Sequence, residues 1–243
     1  MHMRRKKWAR PELAACPVFL DAPTEKRNLW QKVFENDRPL HVELGCGKGV
    51  STAQMIAANP EVNYVVIDIT CDILGDTRRN IAKAFDGQMP ENVRIVRFDI
   101  ETIREIFGPE DRVQRIYIHF CNPWTRRPKY AKRRLTHPRQ LLQYRDFMAP
   151  DAEIWFKSDD DDLFEDSLRY FEACGFEARH VTRDLHAAGF SPNFISEHEQ
   201  KYMALGVPIK MGIFRMTEIP GTIDPIRWNL ARERAEEDVC SAS

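Results

Sequence analysis

Residues 41–49 read HVELGCGKG, a short apolar strand that runs directly into three glycines at alternate positions. Glycine lets the backbone turn tightly and lets a ligand approach it closely. A helix is predicted over residues 50–58, so the stretch forms a strand, a glycine loop and a helix in succession. This arrangement is typical of a βα turn that holds a nucleotide-like cofactor.

The spacing of the glycines indicates which cofactor the loop suits. A dinucleotide loop of the form G-x-G-x-x-G would need glycine at position 50, which is Val50. A Walker A loop would need Ser or Thr after Lys48, where Gly49 stands. The remaining pattern, Gly45, Gly47 and Gly49 preceded by Glu43, favours S-adenosylmethionine, which carries an amino-acid group, a sulfonium and a ribose but no phosphate.

Outward from this unit, predicted strands alternate with predicted helices. Strands are expected at 41–44, 64–69, 93–98, 115–120, 153–157, 177–182 and 208–216. Helices are expected at 50–58, 73–86, 101–107, 138–148, 161–173 and 197–204. The alternation predicts an α/β, Rossmann-like sheet, mostly parallel with an antiparallel edge, and helices on both faces.

The chain of 243 residues fits one domain with extensions. Residues 1–38 are interpreted as a basic extension with one helix, because Leu29, Trp30, Val33 and Phe34 form a helical stripe. Residues 39–217 are the predicted cofactor-binding domain, and residues 218–243 a charged tail.

Acidic residues follow the first strands of the predicted sheet. Asp68 ends the second strand, 19 residues after Gly49, where a carboxylate can accept two ribose hydroxyl hydrogen bonds. Asp99 follows the third strand, where it can meet the edge of an adenine. The alternative interpretation is a tight turn with ordinary surface acids.

Composition narrows the class of partner. No run of eighteen apolar residues exists, so no membrane span is expected. The six cysteines form no C-x-x-C pair, and their wide spacing argues against a metal site and favours a cytoplasmic location. The net charge is −1, yet five basic residues lie in 4–10 and seven in 126–139, without acids. Such segregation can create a positive surface for nucleic acid, although a solvated face is the simpler alternative.

The fourth strand leads into Asn122-Pro123-Trp124. Ligands of open α/β sheets bind at the carboxyl ends of the strands, so Asn122 is placed near the cofactor. An amide oxygen can accept a hydrogen bond from a base, and an aromatic ring can stack on it. Asn-Pro is also a common turn starter, which is the competing explanation.

Taken in order, these motifs make the chain resemble the bacterial tRNA (guanine-N7-)-methyltransferases over roughly residues 3–216. The motifs are RKKWAR at 5–10, ELGCGKG at 43–49, NPW at 122–124, KRRLTHP at 132–138, FKSD at 156–159, SEHE at 196–199 and GVPI at 206–209.

The resemblance implies a class I methyltransferase fold and a guanine in the variable loop of tRNA, at position 46 of the tRNA convention, as the substrate. It also implies a set of site residues. The cofactor would contact Glu43, Asp68, Asp99 and Asn122, besides the three glycines. The substrate would contact Arg126, Asp159, Ser196, Glu197, His198 and Glu199. Phosphates of the tRNA are expected at Arg127, Lys129, Lys132, Arg133 and Arg134.

The chain departs from this family at three places. Asn122 stands where the family usually has Asp, Arg126 where it has Lys, and SEHE at 196–199 where it has TEYE. We expect Asn122 to orient the guanine or the cofactor in catalysis without accepting a proton. The alternatives are a non-catalytic tRNA-binding homologue and a methyltransferase for another RNA; an NAD-linked oxidoreductase is disfavoured by Val50 and the basic loop.

Overall fold

The predicted apolar runs become strands of one eight-stranded sheet. The computed structural model describes residues 5–124, 128–219 and 221. The strands are β1 (Phe19–Asp21), β2 (Leu40–Leu44), β3 (Asn63–Asp68), β4 (Val93–Arg97), β5 (Val113–His119), β6 (Met148–Ser158), β7 (Phe176–Thr182) and β8 (Lys210–Met216).

Seven α-helices connect or flank these strands in the described residues. They are α1 (Ala9–Ala14), α2 (Trp30–Phe34), α3 (Val50–Ala58), α4 (Cys71–Ala84), α5 (Pro138–Arg145), α6 (Asp161–Ala173) and α7 (Glu197–Ala204). Four short 3-10 segments lie at Thr24–Lys26, Ile100–Glu105, Pro109–Asp111 and Pro128–Arg133.

The strand order is β1-β4-β3-β2-β5-β6-β8-β7. Strands β1 to β6 pair in parallel with one another, and β8 runs antiparallel to both β6 and β7. The mostly parallel Rossmann-like sheet is therefore confirmed. The reversed strand lies one position in from the edge, because β8 inserts between β6 and β7.

Two details of the predicted elements were wrong. The 3-10 segment Ile100–Glu105 replaces the helix expected at 101–107. Helix α5 ends at Arg145, and Met148, expected on its apolar face, begins β6. Periodicity alone does not separate a short helix end from the start of a buried strand.

The segment before residue 39 is more structured than one helix. It holds α1, α2 and β1, and β1 extends the sheet by pairing with β4, with Phe19 opposite Ile95. Helix α1 lies so close to α4 that a Cβ atom at Gly75 would stand 2.8 Å from the Cβ of Ala9. Only Ala9 and Leu13 of α1 are buried, which is too short a stripe for a periodicity signal.

Alternation along the strands divides the buried side chains between two faces. Leu40, Val42 and Leu44 join one apolar cluster, which includes Trp30 stacked on Phe107 at 5.2 Å. Tyr64 and Val66 of the neighbouring strand join a second cluster. Both faces of the central strands are thus covered, as parallel sheets require.

The glycine loop is held against α4. Thr77 donates its hydroxyl to the Gly47 carbonyl at 2.8 Å, and Asn80 donates its amide to the Lys48 carbonyl at 2.8 Å. Gly49 has φ of +75°, and a Cβ atom there would stand 2.6 Å from Thr77 Cγ2 and 2.9 Å from Thr77 Cα. Gly47 also has positive φ, +53°, but nothing lies within 4 Å of its Cβ position.

These two glycines form a matched pair for a stability measurement. Gly49→Ala should lower the free energy of unfolding in urea by about 2–4 kcal/mol, because a strained backbone and a steric clash with Thr77 add together. Gly47→Ala should cost only about 1 kcal/mol, from backbone strain alone. Equal losses in both variants would contradict the close packing of the loop on α4.

Candidate functional site

A cleft of about 780 Å³ opens at the carboxyl edge of the sheet. It runs from the glycine loop after β2 to the end of β5 and the first turn of α7. Its lining residues are Lys6, Glu43, Gly45, Cys46, Gly47, Lys48, Gly49, Val50, Ser51, His119, Phe120, Ser196, Glu197, His198 and Lys201. The structure therefore brings Glu43 and the glycine loop together with the segment 196–198.

Glu43 is a buried carboxylate in the wall of this cleft. Thr52 donates its hydroxyl to Glu43 Oε2 at 2.5 Å. Burial raises the pKa of Glu43 to about 7, although the Thr52 hydrogen bond and the Lys157 ammonium act in the opposite direction. A cationic group bound beside Glu43 would favour its ionised form.

Asp68, Asp99 and Asn122 share one local geometry. Each follows or ends a strand, and each accepts, through Oδ1, a hydrogen bond from the backbone N–H two residues later. The three distances, to Thr70, Glu101 and Trp124, are 2.8, 2.9 and 3.0 Å. Such Asx turns fix the side chain and leave its second polar atom available to a ligand.

These three residues are not among the lining residues of the cleft. Asp68 ends β3, whereas Asp99 and Asn122 follow β4 and β5. These strands and β2 are consecutive in the sheet and parallel, so their carboxyl ends lie in a row beside the glycine loop. Asp68 is partly buried, and burial raises the pKa of its carboxyl group despite hydrogen bonds from Thr70. Asp99 is exposed and caps the 3-10 segment Ile100–Glu105.

The first turn of α7 faces the cleft with three different side chains. Ser196 caps the helix by accepting the Glu199 N–H at 3.1 Å, and Glu197 pairs with Lys48 of the glycine loop at 2.8 Å. His198 lies between the rings of Phe120 and Tyr202, with centroid distances of 4.7 and 4.5 Å.

His198 also joins α7 to Asp159, which follows β6. Its Nε2 lies 3.0 Å from Asp159 Oδ1. Burial works to raise the pKa of Asp159, but the His198 hydrogen bond and Lys210 outweigh it, so the pKa lies below its usual value. Asp159 is therefore ionised at neutral pH and stands beside the cleft, in contact with His198.

Glu199, predicted to contact the substrate, has a different position. It is fully buried, and Lys157 donates to its Oε2 at 3.1 Å while Asn193 donates to its Oε1 at 2.8 Å. His186 Nε2 lies 3.1 Å from the same Oε1. Glu199 anchors α7 from below instead of reaching the cleft, which corrects the predicted contact.

The basic loop after Trp124 is only partly described. Arg126 and Arg127 lie outside the described residues, as does the side chain of Lys129. Lys132 is exposed. Arg133 has its guanidinium over the rings of Trp124 and Tyr130, at 5.2 and 5.8 Å.

Arg134, predicted to contact a tRNA phosphate, is a second residue whose position corrects the prediction. Its side chain is 8% exposed and pairs with Asp166 at 2.7 Å, while its Nε donates to the Pro123 carbonyl at 2.8 Å. These buried contacts withdraw it from any phosphate, so it supports the loop that carries Asn122-Pro123-Trp124.

Sequence reasoning missed Lys6, His119 and Phe120, which line the cleft. Lys6 donates to the Asp72 carbonyl and pairs with Asp76, so it ties the N-terminal segment to α4. The Nε2 of His119 is buried with no hydrogen-bond partner, and burial with the nearby Lys157 lowers the pKa of this imidazole well below its usual value. The position of His119 and Phe120 at the end of β5 was the available signal.

The described residues contain neither a metal-binding cluster nor a membrane-spanning helix. No cluster of three or more His, Cys, Asp or Glu side chains has a metal-binding arrangement there. No helix in that part of the chain has the length and apolar character needed to cross a membrane.

Two solved structures with a similar fold are methyltransferases. The 16S rRNA methyltransferase KamB aligns with a TM-score of 0.58 and 10% identity over 78% of this chain and 93% of that one. An antibiotic-related methyltransferase aligns with a TM-score of 0.56 and 19% identity over 78% and 92%. At such low identity the likeness shows the fold alone.

Similarity in sequence is much greater to three bacterial proteins, each named tRNA (guanine-N(7)-)-methyltransferase. The relative in Clostridium botulinum (strain Eklund 17B) is 46% identical over 86% of this chain and 96% of its own length. The relative in Clostridium beijerinckii is 47% identical over 86% of this chain and 96% of its own length. The relative in Acetivibrio thermocellus is 42% identical over 86% of this chain and 97% of its own length. A family model described as "Putative methyltransferase" matches residues 37–211. With this similarity and the cleft at the carboxyl edge of its sheet, the chain belongs to the tRNA (guanine-N(7)-)-methyltransferase family.

Proposed function

We propose that this protein transfers a methyl group from S-adenosylmethionine to N7 of a guanine in tRNA, with position 46 of the variable loop as the target. The observation that carries the proposal is the cleft itself. The glycine loop and the buried Glu43 face Ser196, Glu197 and His198 across it, in a chain of this family.

The residues present fit the cofactor. Backbone close to Gly45 and Gly47 is open to a ligand, since a Cβ atom at Gly47 would meet nothing within 4 Å. Glu43 suits the cationic amino-acid end of the cofactor, and the second carboxylate oxygen of Asp68 suits its ribose. Asp99 stands one strand further along, on the side expected for the adenine. When bound, S-adenosylmethionine supplies an activated methyl group.

Guanine N7 has a lone pair and carries no proton, so the reaction needs no general base. Bound S-adenosylmethionine would supply the methyl group: N7 would bond to the methyl carbon as the bond from sulfur to that carbon broke, which would leave the positive charge on the guanine ring. The protein then contributes by positioning and by charge stabilisation. The ionised Asp159 and the Glu197 carboxylate lie beside the cleft and can accept from the N1–H and amino edge of the guanine.

Asn122 fits an orienting role. Its Oδ1 accepts the Trp124 N–H at 3.0 Å, which fixes the turn that presents Trp124. A carbonyl oxygen has two lone pairs, so the same atom can also accept from a ligand. Aspartate can form the same turn, and this explains how Asn can replace the Asp usual in the family.

Glu199 is proposed to act indirectly, as a positioning residue. Its buried contacts with Lys157 and Asn193 hold the first turn of α7, and that turn presents Ser196, Glu197 and His198 to the cleft. The substrate contacts expected of this segment then belong to its exposed members.

The test is methyl transfer from labelled S-adenosylmethionine to an unmodified tRNA transcript. A second transcript carries 7-deazaguanine at position 46 and so lacks the accepting nitrogen. Label in the first transcript and none in the second is the expected result. Label in both would mean that another site is methylated, and label in neither, with cofactor bound, would favour a non-catalytic tRNA-binding homologue.

The Asn122 side chain gives the next prediction. Asn122→Asp should keep methyl transfer within a few-fold of the parent protein, because the turn is retained and no proton has to be accepted. Asn122→Ala should lower kcat about 10- to 100-fold, through lost orientation. An Ala variant with the activity of the parent would refute the orienting role.

The buried pair Lys157–Glu199 gives a prediction about stability. Lys157→Met or Glu199→Gln alone should lower the free energy of unfolding by about 3–5 kcal/mol, because each leaves the other residue's charge buried without its nearest opposite charge. The double variant should lose clearly less than the two single losses together. The exposed pair Lys48–Glu197 is the control, and Glu197→Gln should cost under about 1 kcal/mol. Additive losses at Lys157 and Glu199 would show that they are not coupled.

A further inference from the structure

A second cleft, of about 490 Å³, lies between the 3-10 segment Ile100–Glu105 and α5. It shares no lining residue with the cleft that contains Glu43. Its lining residues are Glu101, Arg104, Lys132, Arg133, Arg139, Gln140, Leu142 and Gln143. Four of these eight residues are basic and one is acidic.

Two of the four basic side chains are not engaged by acids. Arg104 pairs with Asp146 at 2.6 Å, and Arg133 lies 3.8 Å from Glu101. Among the described residues, neither Lys132 nor Arg139 has a carboxylate within 4 Å. The cleft therefore keeps an excess of positive charge that an anion would satisfy.

Hydrogen bonds between amide side chains fix the floor of the cleft. Gln140 is buried, and Gln143 donates to its Oε1 at 3.0 Å and to the Glu101 carbonyl at 3.1 Å. These bonds join α5 to the 3-10 segment, so the two walls that carry Arg104 and Arg139 are held at a fixed separation. A cation-lined cleft with a fixed floor can bind an anion with little ordering cost.

The charge of this cleft does not suit the cofactor. S-adenosylmethionine has a cationic sulfonium and no phosphate, and the acids that fit it lie at the other cleft and at the strand ends. A phosphodiester fits better, since guanidinium groups bind phosphate oxygens in a bidentate manner.

We propose that this cleft is a binding site for a backbone phosphate of the tRNA, with Arg139 and Lys132 as its principal cations and Arg104 as a third. The inference rests on the proposed function, because it takes tRNA as the ligand. It adds two residues to the RNA-binding surface: Arg104, which lies outside the basic stretch 126–139, and Arg139, for which the sequence predicted no phosphate contact.

The cleft is connected to the methyl-transfer site through the basic loop. Lys132 and Arg133 line the cleft, and the next residue, Arg134, donates to the Pro123 carbonyl at 2.8 Å. A phosphate held at Lys132 thus lies on the same short segment that supports Asn122-Pro123-Trp124. Binding there stabilises the loop beside the reacting base.

The experiment measures how tightly three variants of the protein bind unmodified tRNA, over a range of salt concentrations. Arg139→Glu should weaken binding at least about tenfold near 0.1 M salt and lower the slope of log K against log salt by about 1. Arg139→Lys keeps the charge but loses the bidentate contact, so its affinity should lie between those of the parent protein and Arg139→Glu, with the salt dependence of the parent. The matched control is Arg179→Glu on β7, an exposed arginine at the far edge of the sheet, which should leave affinity and slope unchanged.

Binding of S-adenosylmethionine, measured by calorimetry, reports whether each variant is folded, and it should equal that of the parent protein. If Arg139→Glu binds tRNA as tightly as the Arg179→Glu control, the phosphate site is refuted, while methylation by the parent protein still supports the proposed function. If the parent protein fails to methylate tRNA but Arg139→Glu weakens its binding, the proposed function fails and the phosphate site stands.

Discussion

The contact between the glycine loop and Thr77 is the constraint on which the rest of the site depends. Thr77 lies so close to Gly49 that no side chain fits between them, and its hydroxyl holds the Gly47 carbonyl. The loop therefore leaves β2 in one conformation, which starts α3 at Val50 and directs Lys48 toward Glu197. A helix that follows β3 thus determines the shape of the loop that follows β2, as a parallel sheet with helical crossovers allows.

Lys157 makes the second long-range connection, between the loop side of the cleft and α7. It lies in β6, contacts Glu199 directly and also favours the ionised form of Glu43. One buried cation therefore stabilises the charge of two buried acids. Because all three groups are desolvated, removal of any one of them leaves buried charge uncompensated and destabilises the fold. Specific orientation of α7, more than net stability, is what such a buried set can provide.

Most of the sheet and the strand-end side chains could be predicted, because both depend on local patterns. β-branched runs, Gly45 to Gly49 and the residues at strand ends are read from short stretches, and the parallel fold brings those ends together. Burial was not predictable, since Glu199 and Arg134 look like surface charges in the sequence and become buried only through Lys157 and Asp166. The three-residue β1 and the second cleft depend on contacts between distant segments, such as Glu101 with Arg133, that no local pattern encodes.

Strand β1 has a consequence for how this chain can be shortened. It covers the outer edge of β4, and Asp21 pairs with Arg97 at 2.7 Å across that junction. A truncated protein that began after Ala22 would expose the unpaired N–H and C=O groups of Val93–Arg97, which read VRIVR, as a template for another chain. Pairing of β1 with β4 therefore prevents intermolecular strand pairing at this edge of the sheet. Removal of the N-terminal segment to simplify expression would favour aggregation.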